Sequence, residues 1–111
     1  MSIEYNQELY RLKAELCKSF TDPTRLIIIN ELRGGEKLVG QLVQTIGVAQ
    51  SAVSRHLSLL RERGMVSFRR EGTSIYYRLS DPKIGEACDI VHRILLDQIA
   101  RNRELADRLK A

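Results

Sequence analysis

Two cysteines, Cys17 and Cys88, are all that this 111-residue chain contains. They are too few for a disulfide framework, and a reducing compartment would not sustain a permanent bridge between them, so any pairing is conditional. No segment approaches the roughly 18 to 20 uninterrupted apolar residues of a membrane span. The first stretch, MSIEYNQELYRLK, lacks a basic leader followed by an apolar run. The expectation is a cytoplasmic chain with no membrane partner. Internal repeats, low-complexity tracts and linkers are missing too, which points to a single domain over residues 1–111.

What is present suits a globular protein: 43% hydrophobic and 29% charged residues. A domain of this size buries only about 60 to 70% of the surface its unfolded chain would expose, so a second copy would add useful core. The formal net charge of +4 is modest but localised. Between Arg55 and Arg78 stand six arginines against two carboxylates, Glu62 and Glu71, while the cations and carboxylates elsewhere cancel. Such localisation is the footprint of a surface for a polyanion, although charge alone fits a solvated face equally well.

Leu9, Leu12, Leu16 and Phe20 recur at helical spacing over about residues 6–20. In TDPTRLIIINEL, Asp22 is placed to cap the next helix and Pro23 to occupy its first position, and Gly34 and Gly35 stop it. Leu38, Leu42 and Ile46 define a short third helix ending at Gly47, and a fourth runs from about Gln50 to Arg63. MVSFRREGTSIYYRL then switches to the strand period and reads as a hairpin with Gly72 in its loop. After Asp81-Pro82 the helical stripe returns as Ile84, Cys88, Val91, Leu95 and Ile99, giving a long last helix over about 82–109. The order is mainly α with a small β-hairpin, a winged helix-turn-helix.

The fourth helix has two unlike faces. Val53, Leu57 and Leu60 would anchor it to the core, while Gln50, Ser51, Ser54 and Arg55 would project from its N-terminal half toward base edges and phosphates of the major groove. Gln suits adenine and Arg suits guanine, each by two parallel hydrogen bonds. His56 lies nearer the apolar flank and would either reach a phosphate or complete the helix-turn-helix packing. The hairpin is the wing, with Arg69 and Arg70 at its tip placed to lie along the phosphate backbone or the adjacent minor groove. These residues make double-stranded DNA the expected partner. A winged-helix protein-interaction module is the alternative, since a fold does not dictate function. Catalysis is not expected: Ser54 and His56, the one suggestive pair, point about 200° apart on a helix and cannot form a relay.

ELCKSFTDPTRLIIINEL, QLVQTIGVAQSAVSRHLSLLRERGMV and RREGTSIYYRL together resemble the ArsR/SmtB family of bacterial winged-helix repressors over roughly residues 9–80. The resemblance rests on Asp22-Pro23-Thr24-Arg25, on Ser51, on Val53-Ser54-Arg55-His56-Leu57 and on the Tyr76-Tyr77-Arg78-Leu79 strand. It implies a homodimer paired through the first helix, about 4–20, and the last, about 82–109. It also implies a transcriptional repressor released from its operator by a metal, a metalloid or a reactive sulfur or oxygen species.

Departures from the family pattern narrow the inducer. EKLVGQL, before the turn, lacks the Cys-x-Cys pair of arsenic- and cadmium-sensing members, and Leu38, Val39 and Gly40 offer no soft ligand. The last helix and its approach offer Asp81, Asp89, Asp97 and a single His92 where zinc and cobalt sensors carry several histidines. Leu38 and Ala49 replace serines that cap helices in many members. No cofactor is required by this reading. Cys88 and His92 are one turn apart and, with Cys17, make a three-residue metal candidate; Cys17 and Cys88 are also candidates for thiol, polysulfide or arsenic chemistry between the dimerisation helices. Against these stands plain packing, because Cys88 falls on the apolar stripe and free cysteine behaves as a small hydrophobe.

Overall fold

A computed structural model describes residues 6–110, so positions 4 and 5 of the expected first helix lie outside the described residues. The helices are α1 (Gln7–Cys17), α2 (Pro23–Leu32), α3 (Val39–Ile46), α4 (Gln50–Glu62), α5 (Lys83–Arg101) and α6 (Arg103–Leu109). The strands are β1 (Lys37–Leu38), β2 (Val66–Glu71) and β3 (Ser74–Leu79), and a 3-10 turn over Lys18–Phe20 follows α1.

Local chemistry explains the boundaries. Asn6 caps α1 by accepting from the Leu9 N–H at 3.2 Å, and Asp22 caps α2 by accepting from the Arg25 N–H at 3.1 Å, with Pro23 at the first helical position. Gly72, at φ 61°, makes the tight wing turn that a side chain would strain. Leu38 and Ala49 both stand at helix N-caps without a side-chain acceptor, although the Gln41 amide accepts from the Leu38 N–H at 2.8 Å. Ala49→Ser is therefore expected to raise stability by about 1 kcal/mol, read as a melting temperature a few degrees higher. An unchanged melting temperature would place the start of α4 elsewhere.

The core gathers Ile28, Ile29 and Leu32 of α2, Leu42 of α3, Val53, Leu57 and Leu60 of α4, and Met65 and Val66 at the root of the wing. Two expectations need correction. The hairpin is part of a three-stranded antiparallel sheet, order β1-β3-β2, because Lys37 and Leu38 pair with Tyr77 and Tyr76. The long last helix is two helices: Asn102 leaves helical geometry at φ −111°, ψ 96°, and its side chain caps α6 by accepting from the Leu105 N–H at 3.1 Å.

Helix α1 contributes no buried residue, and every residue from Ile90 to Gln98 of α5 is exposed. The radius of gyration, 16.5 Å, exceeds the roughly 13 Å of a compact chain this long.

Candidate nucleic-acid interface

Helix α3 ends at Gly47, whose left-handed backbone (φ 78°, ψ 22°) turns the chain while its N–H donates to the Val43 carbonyl at 2.9 Å. Two residues later α4 begins. Val53, Leu57 and Leu60 are fully buried, whereas Gln50, Ser51, Arg55 and Ser58 are exposed and Ser54 is half-buried. The two-faced helix read from the sequence is thus a core-anchored helix offering amide, hydroxyl and guanidinium groups to solvent. Gln44 of α3 joins Gln41, Gln50, Thr73 and Ser74 around a groove of about 600 Å³ between this helix pair and the tip of the wing.

His56 goes the other way. Its Nδ1 lies 3.3 Å from Arg25 Nη1 and its Nε2 3.8 Å from Asp22 Oδ1, with only 13% of the side chain exposed. With Nδ1 accepting from Arg25, the ring proton sits on Nε2, toward Asp22. Arg25 also donates to the Lys18 carbonyl at 2.9 Å. The Arg25 backbone N–H lowers the Asp22 pKa, partly opposed by desolvation. Of the two roles open to His56 in the sequence, these contacts are those of packing, joining α4 to the N-terminus of α2.

The wing divides its arginines between two faces. Pairing Phe68 with Tyr77, Arg70 with Ile75 and Arg69 with Tyr76 puts Arg70 on the Phe68 face and Arg69 on the opposite one. Arg69 grips Glu36 through hydrogen bonds of 2.6 and 3.0 Å and reaches Glu71 at 2.8 Å; the first of these carboxylates chiefly, then the second, raises its pKa. Its guanidinium also lies over the Tyr76 ring at 4.3 Å. Arg70 has no carboxylate partner among the described residues. Arg61, which the sequence reading did not single out, stacks over Phe68 with its guanidinium carbon 4.1 Å from the ring centre. The signal for it was its position seven residues after Ser54, two turns along the same helical face.

Cys17 is exposed at the end of α1, and Cys88 is half-buried on α5. Burial pushes the Cys88 thiol up, only partly opposed by Arg33, so the reactive thiolate is disfavoured there. Cys88 and His92 line a groove of about 560 Å³ between α2 and α5, with Phe20, Leu26 and Leu95. Across this groove Arg33 holds Asp89 by two hydrogen bonds of 2.6 and 2.8 Å. The Arg33 stem crosses Gly85, where a Cβ would meet the Arg33 Cδ and Cζ at 2.9 Å. Among the described residues no three His, Cys, Asp or Glu side chains converge, so Cys17, Cys88 and His92 do not form a metal-ligand set within one protomer. No described helix is long and apolar enough to cross a membrane.

Comparison with known proteins agrees with this geometry. Residues 22–67 match the family described as "Bacterial regulatory protein, arsR family". An HTH-type transcriptional regulator of Mycobacterium tuberculosis is 34% identical over 100 residues, 86% of this chain and 88% of that one. Its crystal structure superposes with a TM-score of 0.75 at 32% identity, covering 94% of this chain and 99% of the other. The biofilm growth-associated repressor of Xylella fastidiosa is 38% identical over 85 residues, 77% of this chain and 75% of the repressor. A solution structure of a homodimeric winged helix-turn-helix DNA-binding domain from Mycobacterium bovis matches at TM-score 0.72 and 27% identity, covering 88% and 92% of the two chains. These relatives are transcriptional regulators rather than enzymes. With its turn, two-faced helix and basic wing, the chain belongs to the ArsR family of bacterial transcriptional regulators.

Proposed function

We propose that the protein is a homodimeric repressor that binds a specific double-stranded operator, pairing through α1 and α5 and inserting α4 of each copy into the major groove. The observation that carries the reading is where the unsatisfied surface lies. Exposed polar side chains and arginines without carboxylate partners collect on α4 and the wing, while apolar side chains left uncovered in the protomer collect on α1 and α5: Leu9, Leu12, Leu16, Ile90, Ile94 and Leu96. The first surface suits DNA; the second suits another copy, which the open shape of a single chain also favours.

The test is a duplex selected from a random pool. Wild type binds it as a dimer with steep salt dependence, and Arg55→Ala loses discrimination against unrelated duplex by about 10- to 100-fold, the value of one bidentate base contact. Equal discrimination by Arg55→Ala would remove that residue from base reading. An interaction module would show little salt-dependent duplex binding to lose.

Inducer release by a thiol-reactive or metalloid species would fall on Cys17 and Cys88, which lie on the two helices proposed to pair. Challenging the DNA complexes of wild type, Cys17→Ser and Cys88→Ser with polysulfide, arsenite and zinc separates sensing from packing. Release that persists in a Cys17→Ser/Cys88→Ser double variant would assign the cysteines to packing alone.

A further inference from the structure

We infer that Arg61, Phe68 and Arg70 form a grip for the phosphodiester backbone of duplex DNA where it passes between the recognition helix and the wing, a site that rests on the DNA-binding reading above. Arg61 belongs to α4 and Arg70 to β2, yet both guanidinium carbons gather on the Phe68 ring, 4.1 and 5.9 Å from its centre. Two cations are therefore held within about 10 Å of each other, a Debye length at most, so each feels the other's charge.

Neither has an ion pair or a hydrogen bond to a carboxylate among the described residues. The contrast with Arg69 on the other face of the same strand is informative, because Glu36 and Glu71 occupy that guanidinium on both sides. The sheet thus neutralises the cation on one face and leaves two like charges uncompensated on the other. A like-charge pair raises the free energy of the free protein and is relieved by an anion lodged beside it.

The cluster suits an anion, and the anion that a bound duplex presents is its backbone phosphate. A guanidinium stacked on an aromatic face keeps its in-plane N–H donors free at the rim, and those donors match phosphate oxygens. The Phe68 ring lies 6.0 Å from that of Tyr77 in the adjacent strand. It ties a cation from the helix to a cation from the wing, so one stretch of backbone is met from two elements at once. Contacts of this kind position the duplex and carry no sequence information.

The test is the salt dependence of binding to operator and to unrelated duplex by wild type, Arg61→Ala, Arg70→Ala and Phe68→Leu, with melting temperatures measured alongside. Each arginine variant is expected to weaken both duplexes equally and to lower the slope of log K against log salt by about 1 per protomer. Phe68→Leu is expected to weaken both duplexes several-fold although no charge is lost, and to shrink the effect of Arg61→Ala in the double variant. A wild-type slope in both arginine variants overturns the grip, as does wild-type affinity in a folded Phe68→Leu. Absence of salt-dependent duplex binding by wild type would instead overturn the DNA-binding reading itself.

Discussion

Ile94→Glu is expected to leave a folded monomer whose operator affinity has fallen by at least about 100-fold. Ile94 is half-exposed in the protomer, at 52%, and belongs to the stretch of α5 from Ile90 to Gln98 in which every residue is exposed. A glutamate there costs the isolated protomer little. In a two-fold interface the substitution occurs twice, and each carboxylate taken from water against apolar side chains costs several kcal/mol, enough to weaken pairing by well over 100-fold. Operator binding falls with it, because two recognition helices spaced about one DNA turn apart then become two independent weak binders. Leu12→Glu on α1 should do the same. Light scattering and gel shifts check both, with circular dichroism reporting the helices. A dimer that survives both changes would move the interface off α1 and α5.

The second large effect is on stability. Leu57→Ala empties a fully buried site among Val53, Leu60 and the α2 core, and truncation of such a leucine costs about 2 to 5 kcal/mol. The melting temperature should drop by roughly 10 °C or more. Arg55→Ala, on the exposed face of the same helix, should melt with wild type while losing base discrimination. Thermal melts of the two variants side by side therefore report the two faces separately. A Leu57→Ala protein melting within about 1 °C of wild type would contradict the packing.

Much of this was legible in the residues. The 3.6-residue spacing of the apolar positions, Asp22-Pro23 and Gly47 placed α2, α3 and α4 to within a residue or two, because those signals are local. The pairing of β1 was not legible: two residues are too short to show alternation, and their partners lie some forty positions along the chain. The break at Asn102 hid behind an apolar stripe that runs on past it, although an asparagine ahead of Glu104 is itself a capping signal. Opposite faces for Arg69 and Arg70 follow from the strand period alone. That Glu36 takes one of them does not, since that contact spans 33 positions. His56 was ambiguous for the same reason: its partners, Asp22 and Arg25, come from another helix.

Helix α2 has a charged contact at each end. Arg25 meets His56 of the recognition helix, and Arg33, eight residues on, holds Asp89 of α5; the two contacts are about 12 Å apart along the axis. Between them lie Ile28 and Ile29, with no exposed surface at all, so the helix has no slack to bend. In mechanical terms α2 is a strut between the recognition helix and α5. In the proposed dimer, a tilt of α5 that keeps Arg33 on Asp89 would carry the far end of the strut with it, and the angle at which α4 meets a groove would then be set by how the two copies of α5 lie against each other.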